Sequence, residues 1–340
     1  MSNDIIFKTI GWDIGGAHLK AVLLQEGKVL KVLQLPCELW RGLDRLEASI
    51  IKALELLETQ ENKVQHAVTM TGELVDLFEN RQQGVIQISH TVSTLLGKQT
   101  LFYASRSGFV PIESVAEHAA AIASANWHAS ASWLAKYMPD ALFVDIGSTT
   151  TDIIPIINGK VGASTDAQRM KNDTLVYTGV ARTPVMALAQ KLRFEGAEVN
   201  VAAEYFATMA DVYRLTGDLR PENDMAETAD GKGKTILESV RRLARMAGRD
   251  AEEKSLETWK SLALACKNTQ MMQIKTAILK HWQTGTPIIG AGAGLFLVAQ
   301  LAKALNCDYI TIPKALRTDL AEDISVCFPA YAVARLLEKC

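Results

Sequence analysis

Two short stretches of the sequence carry carboxylate and glycine residues in the same order. The first, GWDIGGAHLKAVLLQEGKVL, spans residues 11–30, and the second, FVDIGSTTTDIIPIINGKVG, spans residues 143–162. Laid over each other, they align Asp13 with Asp145 and keep one register to their ends. Glycine tolerates unusual backbone angles and lets an anion approach the N–H groups of a turn closely. Both Asp-x-Gly turns are therefore predicted to bind phosphate.

Each stretch has the pattern of a strand, a loop and a second strand. The second strand ends at Glu26-Gly27 in one copy and at Asn158-Gly159 in the other. A dipeptide with glycine in second place is typical of a two-residue hairpin turn. Copies so far apart in the chain are not neighbouring units of a solenoid, and they predict two domains of related fold.

A third glycine-rich segment, IIGAGAGL, follows a predicted strand and precedes a predicted helix. Helix N-termini bind anions, so this segment is a further candidate phosphate loop. It does not fit the dinucleotide fingerprint G-x-G-x-x-G, because Leu295 occupies the third glycine position. The residues predicted to form the phosphate site are Asp13, Gly15, Gly16, Gly147, Ser148, Thr149, Thr150, Gly290, Gly292 and Gly294.

Carboxylates beside a phosphate imply a cation between them. We expect Mg²⁺ to be held by Asp13, Asp145 and Asp152, partly through water. Lys20 occupies in the first stretch the position that Asp152 occupies in the second. One loop therefore ends in a cation and the other in an anion, which favours chemistry over two simple turn caps.

Composition restricts the partners. The 340 residues carry 36 basic and 38 acidic side chains, and a net charge of −2 gives no global attraction to nucleic acid or an anionic membrane. We expect small-molecule partners, and the oligomeric state is open, with a homodimer as one option. Five spaced cysteines without a C-x-x-C pair favour a reducing compartment. With no signal-like start, and with an apolar segment at 288–302 shorter than the about 20 residues of a spanning helix, a cytoplasmic protein is expected.

The order of the elements predicts an α/β fold. Strand-like and helix-like segments alternate, and apolar residues at helical spacing cover Leu43–Leu57. The alanine-rich Ala116–Lys136 is predicted to be helical. The length and the 48% of apolar residues fit two domains, which we place at 1–139 and 140–340, with a mainly helical insertion at about 183–285.

Phosphate-type loops at the start, middle and end of an α/β chain resemble the superfamily of acetate and sugar kinases, heat-shock chaperone ATPases and actin. This resemblance implies a duplicated actin-like, ribonuclease-H-like fold with two domains around a phosphate-binding cleft, where the late glycine-rich loop meets a nucleoside. Within the superfamily, DIGSTTTD is similar to the D-x-G-G-T-S-T-D loop of the hydantoinase and oxoprolinase group. The first loop departs from that group, because Ala17 and Lys20 stand where those enzymes tend to have threonine and aspartate.

A narrower resemblance covers most of the chain. It rests on the segments DIGGAHLKA, SANWHASASWLA, DIGSTTTDIIPI, GVARTPV, MADVYRLTGDL and TADGKGKT. Together they resemble the hydantoinase-like proteins linked to tetrahydromethanopterin C1 transfer in methylotrophs and methanogens. Archaeal members of that group include an enzyme of methanofuran biosynthesis that joins an aminomethylfuran-methyl diphosphate to the phenol of γ-glutamyltyramine and releases diphosphate. The resemblance therefore implies a transferase.

An ether synthesis of this kind needs charge neutralisation and a base. Charge on the departing diphosphate would be stabilised by Mg²⁺, by Lys20 and by loop N–H groups. A phenol with a pKa of about 10 must also lose its proton near neutral pH. The candidate bases are His18, Glu117, His118 and Asp152, and the sequence does not rank them.

Four further side chains are predicted to contact substrate. Asn126 and Trp127 belong to one of the family segments and are expected to line the acceptor pocket, although Trp127 fits core packing equally well. Arg182, followed by Thr183, stands at a predicted helix start suited to an anionic group. Asp230 lies in a polar loop that we expect to close over the cleft.

Two other functions stay open. The first is an ATP-dependent small-molecule kinase, or a hydantoinase- or oxoprolinase-like ligase or hydrolase, with ATP or ADP at the same loops. The second is a non-catalytic nucleotide-binding regulator, which gives no reason for the unlike Lys20 and Asp152 at matched positions. A requirement for ATP separates the kinase from the transferase.

Overall fold

The computed structural model describes residues 8–59 and 64–340; the first seven residues of the predicted amino-terminal domain lie outside the described part. The chain forms two compact units. One contains the chain up to Asp140 together with Ile156–Ser164 and Ile312–Cys340, and the other contains Ala141–Pro155 and Thr165–Thr311. Each unit has its own sheet and its own apolar core.

Strands and helices alternate along much of the described chain. The strands are β1 (Lys8–Ile14), β2 (His18–Gln25), β3 (Lys28–Pro36), β4 (Val64–Met70), β5 (Leu101–Tyr103), β6 (Phe109–Val110), β7 (Ala141–Ile146), β8 (Thr151–Ile157), β9 (Lys160–Val161), β10 (Leu175–Val176), β11 (Lys191–Phe194), β12 (Ala197–Asn200), β13 (Ile288–Ala291) and β14 (Tyr309–Thr311). The helices are α1 (Leu43–Leu57), α2 (Arg81–Leu96), α3 (Val115–Ile122), α4 (Asn126–Leu134), α5 (Asp166–Lys171), α6 (Val185–Leu188), α7 (Met209–Thr216), α8 (Ile236–Met246), α9 (Leu256–His281), α10 (Leu295–Ala304), α11 (Ile312–Leu316) and α12 (Phe328–Leu337). None of these helices is both long enough and apolar enough to cross a membrane.

The first unit is built on a six-stranded sheet in the order β3-β2-β1-β4-β5-β6. The strands β1, β2 and β3 are antiparallel neighbours, whereas β4 runs parallel to β1. Because side chains alternate along a strand, β1 sends Ile10, Trp12 and Ile14 into one core and turns Gly11 and Asp13 to the opposite face. Both faces of β1 are buried, as expected for a central strand with helices on each side.

The carboxyl-terminal helix α12 covers that opposite face. Gly11 lets the two backbones approach closely, because a Cβ at this position would collide with the carbonyl of Ala330. The helix also packs against β4 and α4. Ile312–Cys340 therefore clusters with the first unit, whereas the sequence-based boundaries assigned it to the second domain. The sequence repeat predicts two consecutive domains. It contains no signal that the last segment of the chain packs against the first sheet.

The alanine-rich segment predicted to be helical is interrupted. It forms α3 and α4, and Ser124 between them has a φ of 51°. A non-glycine residue in this left-handed region is uncommon and needs compensation. The hydroxyl of Ser124 donates a 2.8 Å hydrogen bond to the Glu73 carboxylate, a long-range contact that composition does not signal.

The second unit carries a sheet in the order β10-β8-β7-β13-β14. The strand β13 runs parallel to both β7 and β14. The insertion contains α6 to α9, with α7 packed on α8 and α9. It also contains the hairpin of β11 and β12, which the prediction of a mainly helical insertion missed. The sequence signal for this hairpin was the dipeptide Glu195-Gly196, with glycine in second place. It forms the turn with φ values of 48° and 82°.

The two hairpin turns predicted from the repeat are confirmed. Glu26 and Gly27 have φ values of 51° and 78°, and Asn158 and Gly159 have values of 51° and 69°. Two consecutive positive values define the primed turn that matches the twist of a β-hairpin. The repeated sequence thus encodes a repeated backbone, and the α/β class is confirmed.

A buried histidine links the two central strands of the first sheet. Trp12 Nε1 donates to His66 Nδ1 at 3.1 Å, and both side chains are buried. Burial lowers the pKa of His66 to about 4, against about 6.5 in an unfolded chain. Between these values the unfolded state binds more protons, so the stability that neutral His66 provides is fully present above about pH 6.5 and is lost as the pH falls.

We expect the free energy of unfolding of His66→Asn to fall less than that of the parent as the pH drops below about 6.5. Asparagine offers Trp12 an acceptor oxygen but does not titrate, so the variant should escape a loss that approaches about 3 kcal/mol between pH 6.5 and 4. Denaturant unfolding at several pH values measures the difference. His90→Asn is the control, because His90 is exposed on α2. Parallel profiles for His66→Asn and the parent would contradict the assignment.

Candidate functional site

The loop Gly147–Thr150 joins β7 and β8, and hydrogen bonds from neighbouring backbone groups hold it in place. Gly147 N donates to Thr150 O at 2.9 Å, which closes the turn between β7 and β8. The carbonyl of Ser148 accepts hydrogen bonds from Ala181 N at 3.1 Å and Arg182 N at 2.8 Å. The side chains of Ser148, Thr149 and Thr150 are half-buried. The loop therefore presents hydroxyl groups from a fixed backbone, as an anion site requires.

The third glycine-rich segment packs directly on this hairpin. Gly294 N donates to Ile146 O at 2.8 Å, and α10 begins at the next residue. Gly292 has a φ of 85°, and a Cβ there would collide with the Asp145 carboxylate and with the Ile146 carbonyl. Two of the three predicted loops are thus neighbours within the second unit, with Asp145 between them.

Close packing also constrains the other glycines predicted to bind phosphate, and their role in phosphate binding stays a prediction. Gly290 lies inside β13, where the Tyr309 ring leaves no room for a Cβ, and Gly294 packs against Ile146 and Val180. Neither Gly15, Gly16 nor Gly147 has a positive φ. Close packing explains most of these positions, and only Gly292 among the predicted phosphate-binding glycines needs the left-handed conformation.

Gly292→Ala should lower the free energy of unfolding much more than Gly285→Ala does. Both glycines have a φ of 85°, but a Cβ at Gly285 meets nothing within 4 Å. We expect the control to lose about 1 kcal/mol from backbone strain, and Gly292→Ala to lose roughly 2 kcal/mol more from overpacking. Urea unfolding measures both. Equal losses of stability in the two variants would show that the space around Gly292, next to Asp145 and Ile146, can accept a Cβ.

Asp152, predicted as a metal ligand and candidate base, forms an ion pair. Its carboxylate accepts a hydrogen bond from Arg169, whose side chain is 2% exposed. Arg169 also lies 3.6 Å from Asp166 and donates to the carbonyl of Thr174. The short helix α5 therefore places a cation beside Asp152, the residue that aligns with Lys20 of the first stretch.

The predicted magnesium ligands do not form a ready-made site. Across residues 8–59 and 64–340, no three histidine, cysteine, aspartate or glutamate side chains gather closely enough to hold a metal ion. Mg²⁺ often binds through one or two carboxylates and completes its shell with water and substrate phosphate. Asp145, beside the hydroxyl-bearing Gly147–Thr150 loop, supplies hard oxygen donors that fit this mode. A magnesium ion at Asp145 stays a prediction.

Asp152→Ala tests whether the pair with Arg169 is structural. Removing one partner of a buried pair should lower the free energy of unfolding by about 3 kcal/mol. Glu55→Ala is the control, because it removes an exposed pair with Lys52 on α1 and should cost less than about 1 kcal/mol. If Asp152→Ala kept full stability but changed the dependence of ligand binding on Mg²⁺, the metal-ligand prediction would be preferred.

The loop of the first hairpin is also held by backbone contacts. Gly15 N donates to His18 O at 2.9 Å, and the Gly16 carbonyl accepts from Leu39 N at 3.1 Å. Asp13 pairs across the hairpin with Lys20, and the Lys20 Nζ lies 3.6 Å from the Asp13 carboxylate. Asp13, which is 4% exposed and belongs to the same hairpin, therefore partly neutralises the charge of Lys20.

The structure separates the four candidate bases. His18 is half-buried at the start of β2, beside the first loop. Glu117 is exposed on α3, and His118 Nδ1 lies 3.0 Å from the carbonyl of Ser114. Asp152 belongs to the second unit and is paired with a cation.

Sequence reasoning missed a carboxylate next to the first loop. Glu73 follows β4 and is 1% exposed, and Ser124 donates to it. The available signal was the polar sequence TGE directly after a buried strand. Asn126 and Trp127 follow Ser124 closely, but Asn126 Oδ1 accepts from Trp127 N at 2.7 Å, and Trp127 is 8% exposed against His128.

The predicted helix start after Arg182 is a weak anion site. The helix α6 has only four residues, and the hydroxyl of Thr183 accepts from Gly179 N at 2.7 Å. The Arg182 side chain is half-buried beside the second loop, to which its backbone is bonded. A role for Arg182 in binding an anion stays a prediction that α6 itself does not support.

Asp230 has a structural partner. Arg242, which is fully buried, donates to Asp230 at 3.0 Å and to Asp211 at 2.9 Å. Burial opposes ionisation of Asp230, but the Lys232 N–H and the Arg242 guanidinium hold its pKa below the usual value. The polar loop is therefore anchored by this carboxylate, and a contact of Asp230 with substrate stays a prediction.

Each of the two sheets contains one of the related hairpins, and a glycine-rich helix start packs on the second hairpin. These features define an actin-like α/β fold. The nucleotide-free structure of acetone carboxylase has the same fold, with a TM-score of 0.62 over 97% of this chain and 70% of that chain. At 10% identity, this likeness concerns the fold alone.

The sequence profile of the Hydantoinase/oxoprolinase family matches residues 65–339, and the chain belongs to this family. It is 31% identical over 336 residues to the (4-{4-[2-(gamma-L-glutamylamino)ethyl]phenoxymethyl}furan-2-yl)methanamine synthase of Methanocaldococcus jannaschii, which covers 97% of both chains. The synthase of the same name from Methanococcus vannielii is 28% identical over 208 residues, covering 58% of this chain and 91% of that protein.

Proposed function

We propose that the chain is a transferase that forms an alkyl aryl ether in the biosynthesis of a methanofuran-type C1 carrier. The observation that carries this proposal is the similarity to the M. jannaschii synthase, which extends over 97% of both chains. The name of that synthase describes a furan methanamine joined through a phenoxymethyl group to a γ-glutamylaminoethyl chain. The proposed reaction makes the same kind of linkage.

The donor is an aminomethylfuran-methyl diphosphate, and the acceptor is γ-glutamyltyramine or a related tyramine. The phenol oxygen attacks the methylene carbon of the donor, and the bond from that carbon to the diphosphate oxygen breaks. The phenol loses its proton, and diphosphate leaves with the electron pair. The reaction needs no phosphoryl transfer, so ATP is not a reactant.

The second unit supports the binding of an anionic leaving group. The Gly147–Thr150 loop carries three hydroxyl side chains on a backbone that Ala181 and Arg182 hold in place. Fixed donors directed at a developing charge usually make the largest contribution to catalysis, because they need no reorganisation during the reaction. A loop of this kind can hold a diphosphate as readily as the phosphates of a nucleotide.

Charge on the leaving group calls for cations as well as donors. Mg²⁺ bound near Asp145 would supply Lewis-acid stabilisation of the diphosphate oxygens. Lys20 is the cation predicted for the first loop, and its ammonium group lies 3.6 Å from the Asp13 carboxylate. Because Asp13 already offsets part of its charge, we propose that Lys20 orients the diphosphate in addition to neutralising it.

We expect coupling to proceed without ATP. Incubation with the furan diphosphate, a tyramine-type phenol and Mg²⁺ should release one diphosphate for each aryl ether formed, measured by a diphosphate assay and by mass spectrometry. An acceptor whose phenol is methylated should give no product, since its oxygen cannot form a neutral ether. Strict dependence of the coupling on ATP hydrolysis would favour a kinase or ligase instead.

A further inference from the structure

The second loop, which joins β7 and β8, rests on a backing segment formed by residues 178–182. Val180 N donates to Gly147 O at 3.0 Å, and the next two backbone N–H groups donate to the following carbonyl of the loop. Gly179 lies directly against the loop, because a Cβ there would come within 2.4 Å of Thr149 N. The position of the second loop therefore depends on the position of the backing segment.

A buried glutamine of α9 holds the backing segment. The Gln270 side chain is fully buried, and its Nε2 donates to Thr178 Oγ1 and to Gly179 O, each at 2.8 Å. The Tyr213 hydroxyl donates to Gln270 Oε1. A side-chain amide has two N–H donors on its nitrogen and accepts only at its oxygen. These three bonds therefore fix its orientation, since a rotated amide would place its oxygen against the Gly179 carbonyl.

The same tyrosine contacts the third glycine-rich segment. Tyr213 is fully buried, and burial raises the pKa of its hydroxyl, which therefore keeps its proton as a donor near neutral pH. Its ring meets the ring of Phe296 edge-on, with the centroids 5.1 Å apart. Phe296 lies in the first turn of α10, whose N-cap is Gly294. Tyr213 and Gln270 thus join α7 and α9 of the insertion to both glycine-rich loops of the second unit.

The first loop is supported from nearby in the chain. Cys37 N donates to Ala17 O at 2.9 Å, and Ser49 Oγ of α1 donates to the Pro36 carbonyl at 3.0 Å. The glutamine that holds the second loop instead lies 91 residues beyond the glycine whose carbonyl it bonds. The two hairpins share a backbone conformation, but the support of the second loop comes from a side chain of the insertion.

We propose that Gln270 is a positioning residue for an anion at the second loop, an inference that rests on the proposed ether-forming function, which makes this anion diphosphate. Gln270 is buried away from the ligand. It sets the position of Gly179, which in turn sets the position of the Ser148 and Thr149 groups packed against it. Fixed donors stabilise charge without reorganisation, so a second loop that has lost this support binds the leaving group more weakly. The insertion thereby acts on the chemistry of the second unit.

Gln270→Met tests this role through the affinity for diphosphate. Methionine is flexible and of similar length, but its thioether is only a weak hydrogen-bond acceptor. Titration calorimetry with inorganic diphosphate in Mg²⁺ should show a Kd about tenfold higher than that of the parent, the size of one lost hydrogen bond. Gln273→Met is the matched control, because Gln273 of the same helix donates to Leu188 O at 2.8 Å, outside the backing segment. Its Kd should match that of the parent.

Tyr213→Phe is a milder form of the same change. It removes the hydroxyl that donates to Gln270 and keeps the ring against Phe296. The amide then loses one of its three bonds, and Kd should rise about threefold. Because this change removes a single atom, it provides the test should Gln270→Met prevent folding, which thermal unfolding of each variant shows.

Gln270→Glu gives a readout that a loss of packing does not. A protonated glutamic acid can donate to the Gly179 carbonyl and accept from Tyr213, whereas the ionised form has no proton to donate. Burial raises the pKa of such a carboxyl above its usual value of about 4.3. Relative to the parent at the same pH, Kd should be about tenfold higher at about pH 8 and within about threefold at about pH 5. Gln273→Glu should give the same ratio at both pH values.

Three outcomes would overturn the positioning role and leave the proposed function in place. The first is a parent-like Kd for both Gln270→Met and Tyr213→Phe. The second is a Kd ratio for Gln270→Glu that does not change with pH. The third is an equal rise in Kd for Gln273→Met, which would assign the effect to a general loosening of α9. A parent protein that binds no diphosphate in Mg²⁺ would instead contradict the leaving-group site on which the proposed function depends.

Discussion

Burying a carboxylate is costly unless a cation or hydrogen-bond donors offset the charge, and this constraint organises the strand ends of both units. Asp13 is nearly buried and pairs with Lys20 across its own hairpin. Asp152 meets the buried Arg169, which α5 supplies from outside the hairpin. The backbone of the two loops is thus repeated, while the source of the compensating charge differs.

The same constraint explains the polar loop of the insertion. Arg242 and Asp211 are both fully buried and bonded to each other, and Arg214 joins Asp211 to Asp224 with hydrogen bonds of 2.6 to 2.7 Å. A buried pair seldom contributes more stability than well-packed apolar residues, but breaking it is expensive. Its effect here is to fix the loop around Asp230, to which Arg242 also donates a hydrogen bond.

Local signals predicted much of the fold. Turns such as Asn158-Gly159 are encoded by two adjacent residues, and the helix Leu43–Leu57 by its apolar period, so both could be read from the sequence. The Glu73–Ser124 bond, the Arg169–Asp152 pair and the return of α12 to β1 join residues far apart in the chain. No local pattern specifies such contacts, and for that reason the helix break and the partner of Asp152 were not predicted.

The two related hairpins differ in the charge of the matched residues Lys20 and Asp152. In the first hairpin, Asp13 and Lys20 carry opposite charges that sum to zero. In the second, Asp145 and Asp152 carry the same charge, and Arg169 is shared between Asp152 and Asp166. These three carboxylates outnumber Arg169 and the half-buried Arg182 beside the loop, although the hydroxyl-bearing loop is shaped to accept an anion. An anionic ligand at Gly147–Thr150 would need to bring or share a cation, so the charge balance favours a diphosphate that arrives as its magnesium complex over the free anion.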